Sequence, residues 1–284
     1  MKKLNRIISS NDSHWVGDGF PVRTLFSYNT PGIETDPFLL MDYAGPAYFP
    51  PATKPRGVGM HPHRGFETVT LLYQGEVEHK DTAGHGGLIR AGDVQWMTAA
   101  KGVLHQEMHS ADFTRQGGLF EAVQLWVNLP AAYKMTDPHY QTLEKTRIPS
   151  VKLDNNGSSL RIIAGRYEGA EGPAHTYTPI NLWDIHVAAG QTVELTVPED
   201  YTTLLFALKN EVIVNDREAL KAANVAYFDR RGSRIKISAD QEATLLLMNG
   251  APIGEPIAGQ GPFVMNTPEE IRQALTDFGA GKFQ

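Results

Sequence analysis

Apolar residues recur along this chain in short bursts broken by glycine, proline and polar turns, which is the spacing of strands. Glu67–Tyr73, Val123–Val127, Thr192–Val197 and Ala243–Met248 are each rich in β-branched or aromatic side chains, and each runs into a turn signal. Repeated short strands of this kind predict an all-β sandwich or barrel architecture. One helix is predicted, near the C-terminus. Thr267 caps it, Pro268 suits its first turn and Glu270 completes a capping box. Ile271, Leu275 and Phe278 then share a face and Gly279 ends the run, so the helix is expected to cover a barrel flank. Leu129–Gln141, punctuated by Pro130 and Pro138, reads as a linker with a short helical turn.

The two halves resemble each other weakly. Thr70–Tyr73 aligns with Thr203–Phe206, and Ala91–Met97 with Ala222–Phe228, with Gly102 and Gly232 following. The pattern therefore predicts two β-barrels of one kind. The first spans residues 1–132 and the second 133–284, with the C-terminal segment and helix packing across both.

Composition narrows the function. With 284 residues and 41% hydrophobic content, two domains of ordinary size can each bury a core. A net charge of -6 with no cluster of Lys and Arg argues against direct nucleic-acid binding. Apolar runs such as Leu204–Leu208 have strand length, and Asn5, Arg6, Ser9 and Ser10 interrupt any signal sequence, so a cytoplasmic protein with no membrane association is expected. Cysteine is absent, so a bound metal must use His, carboxylate or backbone ligands.

Such ligands occur in two pairs, His61-Pro62-His63 and His105-Gln106-Glu107. Residues i and i+2 of a strand point to the same side, so each pair projects into one space. If the two strands face each other inside a barrel, three imidazoles and one carboxylate converge. That donor set suits a first-row divalent ion with positions left for water or substrate, Fe(II) first, with Mn, Ni, Co and Zn also compatible. A lone His-x-His is a weak signal; the quartet with strand-like flanks is a specific one.

The flanks carry a family resemblance. Gly59–Glu67, and Gly92–Ala99 through Gly102–Glu107, resemble the two cupin motifs in the form used by the pirin family, and Leu125–Pro130 and Gly261–Thr267 resemble it too. The resemblance implies a bicupin: two tandem double-stranded β-helix barrels and a short C-terminal helix, with iron or a related metal in the N-terminal barrel. It also implies that His61, His63, His105 and Glu107 are the metal ligands. Several pirin relatives cleave quercetin with dioxygen, so the expected activity is a metal-dependent quercetin 2,3-dioxygenase type, with an aromatic small-molecule substrate and Glu107 as catalytic base. The alternative is a non-enzymatic metal-binding regulator of partner proteins such as transcription factors. A monomer is expected, since the chain already pairs two barrels.

Other residues receive weaker assignments. Many cupins take their carboxylate ligand from the position of Glu67, which shares strand parity with His61 and His63; here it is expected beside the ligands or in a buried salt bridge. Through the repeat, His61 and His63 correspond to Glu194 and Thr196, and His105 and Glu107 to Ile235 and Ile237, so hydrocarbon should fill the second barrel and no metal is expected there. His79, Asp81 and His85 are candidates for positions behind the ligands or at the surface, and Met60, Phe66, Trp96 and Met97 for the pocket wall or the core.

Overall fold

The computed structural model describes residues 1–283 and divides into two compact units. One unit is built from Asp12–Thr24, Phe38–Lys145 and the chain from Ile253 onward; the other from Met1–Asn11, Leu25–Pro37 and Thr146–Pro252. The units are thus interleaved along the chain, with no single cut near residue 132, and the C-terminal segment belongs to the first unit. Strand pairing shows why. The N-terminal strand Leu4–Ile8 pairs with Val225–Phe228 and closes an edge of the second unit. His139–Leu143 does the same for the first, pairing with Val94–Thr98. Each borrowed strand covers backbone groups that would otherwise be an open sheet edge.

Both units have the same plan, a seven-stranded antiparallel sheet and a four-stranded one. In the first unit the larger sheet has His139–Leu143, Val94–Thr98, Phe66–Gln74, Gly118–Asn128, Phe38–Phe49, Phe20–Ser27 and His14–Val16 side by side. The smaller sheet orders Gly57–His63, Val103–His109, Glu76–Asp81 and Gly86–Arg90. In the second unit Thr202–Lys209 occupies the place of Phe66–Gln74, and Val225–Phe228 that of Val94–Thr98, the correspondence the sequence repeat predicts. The interior of the second unit is hydrocarbon, including Trp183, Val193, Leu195, Leu205, Ile235 and Ile237. The fold is the two-barrel cupin fold expected. No helix among the described residues is long and apolar enough to cross a membrane.

The predicted helix forms at Pro268–Gly279 with the capping box of Thr267 and Glu270 in place. Its buried residues are Ile271, Ala274 and Asp277, while Leu275 and Phe278 stay exposed, so the apolar face lies one step around from the predicted one. A short helix at Ala111–Gln116, unsignalled by apolar spacing, is capped by Ser110.

The C-terminal segment is fastened to the end of the strand that carries His61 and His63. Arg64 forms an ion pair of 2.9 Å with Asp277, both nearly buried, and stacks its guanidinium over Phe283. Gly65, at φ 91°, lies so close to the Val264 carbonyl that an added Cβ would sit 2.0 Å from that oxygen. The buried ammonium of Lys134 donates to the carbonyls of Gly65 and Val264 and to Asn128. Hydrogen bonds from Lys282, Arg64 and Gln273 hold the Asp277 carboxyl well below the usual range. A depressed carboxyl contributes stability above the ordinary carboxylate pKa of about 3.9 and loses it only at lower pH. Asp277→Ala leaves Arg64 buried without its partner and is expected to cost about 3 kcal/mol in denaturant unfolding at pH 7. The same comparison at pH 3 should show a smaller difference; equal losses at both pH values would contradict the ion-pair account.

Candidate metal centre

The pairing of Gly57–His63 with Val103–His109 sets the geometry. In this antiparallel register His61 lies across from His105 and His63 across from Val103. Residues directly opposite in such a pair share a face. The Val103–His109 strand buries every second residue, Val103, His105, Glu107 and His109, so His105 and Glu107 point inward together. The imidazole of His105 lies 4.2 Å from that of His61 and 4.9 Å from that of His63, measured between ring centres. His61 and His63 are 4.9 Å apart. Ring nitrogens of all three come within 4.8 Å of one another, and this group can hold a metal ion.

The nitrogens are in a fit state to bind one. His63 Nδ1 and His105 Nε2 are buried without a hydrogen-bond partner among the described residues. His61 engages the Gly59 carbonyl through Nδ1 at 2.8 Å, which leaves its Nε2 available. Buried polar atoms are normally satisfied, so two bare nitrogens beside a third call for a ligand. Burial, then the nearby His61, pushes His63 down to about 3, and burial with the adjacent histidines pushes His105 well below its ordinary value. Both rings are therefore neutral at pH 7, with lone pairs in place.

Glu107 is held from the opposite sheet. Asp42, Gln124, Thr70 and Gln95 pair in a row across four neighbouring strands. Glu107 Oε1 accepts from Gln95 at 2.8 Å and Thr70 at 3.1 Å, and Oε2 accepts from Gln124 at 3.1 Å. An ionised carboxylate has about four lone-pair sites, and the three neutral donors leave one of them, on Oε2. Sequence reasoning missed these donors. Their signal was parity: Thr70, Gln95 and Gln124 each sit at an inward position of a strand whose other residues are mostly apolar.

A cavity of about 200 Å³ opens onto His61, His63 and Glu107. Its walls are largely apolar, with Phe20, Val58, Val77, Phe120 and Trp126 prominent, and Asp42, Thr70 and Gln124 supply polar points. Of the predicted wall residues, Met60 is exposed, while Phe66, Trp96 and Met97 are buried away from the cavity lining. Phe66 nevertheless packs on both His63 and Trp126.

Glu67 is not where strand parity suggested. The turn at Arg64-Gly65 separates the strand of His61 and His63 from Phe66–Gln74, so parity does not carry across. Thr70 lines the cavity and Glu67, three residues earlier, faces the other side, where it accepts from Thr98 at 2.7 Å. In the second unit the repeat register is off by one: Ile235 pairs with Leu195 and Ile237 with Val193, all buried, whereas Glu194 and Thr196 are exposed. His79 and Asp81, in contrast, come together with His105: His79 Nδ1 is 3.3 Å from His105 Nδ1, and His79 Nε2 is 3.4 Å from Asp81 Oδ2. His85, half-exposed, also contacts Asp81, at 3.2 Å.

Fold and site together define a two-barrel cupin with a histidine–glutamate cluster in one barrel. Residues 19–127 match the Pirin family and residues 182–284 the Pirin C-terminal cupin domain. A Pseudomonas aeruginosa protein named as a putative quercetin 2,3-dioxygenase is 53% identical over 283 residues, covering 100% of this chain and 99% of its own. The crystal structure of a quercetin 2,3-dioxygenase from Acinetobacter baumannii superposes with a TM-score of 0.97 at 53% identity, covering 100% of this chain and 98% of that one. A bacterial pirin from Escherichia coli, crystallised in complex with nickel(II), shares the fold at 17% identity with a TM-score of 0.62, covering 87% of this chain and 99% of its own. The chain belongs to the pirin family.

Burial raises Glu67 to about 7. An unfolded carboxyl ionises near its ordinary value, so between about pH 4.5 and 7 the unfolded state holds fewer protons and stability falls as pH rises. Glu67→Gln removes this dependence. The substitution should gain about 3 kcal/mol relative to the parent between pH 4.5 and pH 8. Denaturant midpoints of both proteins at the two pH values measure it, and parallel behaviour would contradict the assignment of Glu67 as a buried acid whose pKa burial raises.

Proposed function

We propose that the protein is a metal-dependent dioxygenase of the quercetin 2,3-dioxygenase type, with His61, His63, His105 and Glu107 as ligands of one divalent first-row ion. The observation that carries the reading is the pair of bare, buried nitrogens on His63 and His105 beside His61, at the edge of an apolar cavity. The relatives' names, at 53% identity over the full chain, support the choice of reaction. Three neutral imidazoles and one carboxylate suit iron(II), and manganese, nickel, cobalt and zinc fit the same donors. When bound, the ion supplies Lewis-acid polarisation of the flavonol's hydroxyl and carbonyl oxygens, together with a meeting point for dioxygen.

The chain's residues supply the rest. Phe20, Phe120 and Trp126 offer flat apolar surface to an aromatic ring system and exclude water from it. Glu107 has one lone-pair site left on Oε2. That site serves the ion or takes the proton of the flavonol 3-hydroxyl, one at a time. Thr70, Gln95 and Gln124 hold the carboxylate still without neutralising it, because none of the three carries charge. The flavonol ring takes up both atoms of dioxygen and is cleaved with release of carbon monoxide.

Loss of flavonol absorbance under oxygen tests the reading. Iron- or manganese-loaded protein should consume quercetin faster than the same metal free in solution, and His61→Ala should cut the rate by about 100-fold or more. Turnover no faster than free metal would contradict the enzyme and leave the metal-binding regulator. Thermal unfolding separates the two claims: at 100 times its Kd a bound ion adds about 2.7 kcal/mol, and no stabilisation by any first-row ion would contradict the metal centre itself.

A further inference from the structure

The strand Glu76–Asp81 runs on the other side of Val103–His109, with Asp81 across from His105 and His79 across from Glu107. His79 is fully buried and stacks on Tyr140, with ring centres 4.5 Å apart and planes at 17°. His79, His105 and Glu107 can themselves bring ligand atoms within 4.8 Å of one another. His79 is nevertheless no free ligand, because both of its nitrogens are engaged, one with Asp81 and one with His105. We propose that Asp81 and His79 form a relay that fixes the tautomer of His105, so that His105 presents a bare Nε2 to the centre.

The relay follows from counting protons. Asp81 Oδ1 accepts from the backbone N–H of His85 at 2.8 Å, and Oδ2 lies 3.2 Å from His85 Nδ1 and 3.4 Å from His79 Nε2. An ionised carboxylate can only accept, so His79 carries its proton on Nε2. A neutral imidazole has one such proton, and His79 Nδ1 is therefore an acceptor. Only an N–H on His105 Nδ1 can face it across the 3.3 Å contact. His105 Nε2 is then left without a proton, and this is the atom that is buried with no partner among the described residues. Metal-bound histidines commonly donate their second nitrogen to a carboxylate; here a second histidine stands between ring and carboxylate. His79 and Asp81 are positioning residues, acting through His105.

The relay makes an inverted prediction. In Asp81→Asn the fixed N–H of His85 keeps the amide oxygen on its own side and turns the NH₂ toward His79. His79 must then accept at Nε2, carry its proton on Nδ1 and donate to His105, whose proton moves to Nε2. The near-isosteric change should therefore harm metal binding more than Asp81→Ala, which imposes neither tautomer. By manganese(II) titration we expect Asp81→Ala to bind about 10-fold more weakly than the parent and Asp81→Asn about 100-fold. Ring nitrogen-15 shifts of the metal-free protein read the tautomers directly and need no variant to fold. The parent should show His105 protonated at Nδ1 and bare at Nε2, with Asp81→Asn reversed. A parent His105 bare at Nδ1, a His79 protonated on both nitrogens, or Asp81→Asn binding manganese as tightly as Asp81→Ala would each overturn the relay. The use of the relay rests on the metal centre proposed above. A parent that binds no metal yet shows these tautomers would sink that centre and leave the relay standing.

Discussion

The antiparallel pairing of Gly57–His63 with Val103–His109 places His61 across from His105 and turns His63 and Glu107 into the same space. Everything at the centre follows from that register. A slip of one residue would send both inward pairs to the opposite face. Three imidazoles packed this closely and largely out of water cannot all carry charge, so His63 and His105 are held neutral, with lone pairs and no partner among the described residues for Nδ1 of the one and Nε2 of the other. The surrounding structure protects this arrangement. The larger sheet supplies Gln95, Thr70 and Gln124 to Glu107. The C-terminal segment pins the end of the first strand through Arg64, Gly65 and Lys134.

The second unit shows what the same frame does without those side chains. Its four-stranded sheet repeats the order of the first, and the paired residues Leu195 and Ile235 face inward there as His61 and His105 pair in the first. Both are fully buried among hydrocarbon side chains. Such a core gains its stability from apolar area alone. The first unit gives up part of that gain, placing polar groups across its interior and opening a cavity beside them. Two copies of one architecture thus differ in what fills them, hydrocarbon in one and polar groups beside a cavity in the other.

Much of this was legible in the sequence. Strand periodicity and the glycine punctuation pointed to the fold, and the His-x-His and His-x-Glu spacing to the three histidines that come together, because period-two patterns map directly onto inward and outward faces. The misreadings share a cause, which is parity carried across a break. Glu67 was assigned the parity of His61, but the turn at Arg64-Gly65 resets it. The repeat sets Glu194 against His61 but is too faint to fix a register, and Glu194 is exposed between the buried Val193 and Leu195. The interleaving of the units was invisible for another reason. Leu129–Gln141 reads locally as a linker, and only long-range pairing shows that His139–Leu143 and Leu4–Ile8 each complete a sheet. Alternation makes His79 and Asp81 candidates for positions behind the ligands or at the surface, and the strand pairing that sets them behind His105 decides between the two.

Anomalous X-ray diffraction from crystals of the manganese-loaded protein, collected on either side of the metal absorption edge, addresses the central claim most directly. The account predicts one strong peak per chain, within bonding distance of nitrogens of His61, His63 and His105 and of one Glu107 oxygen, and none inside the barrel lined by Leu195 and Ile235. A peak elsewhere, or an empty first barrel in crystals soaked with saturating metal, would contradict it.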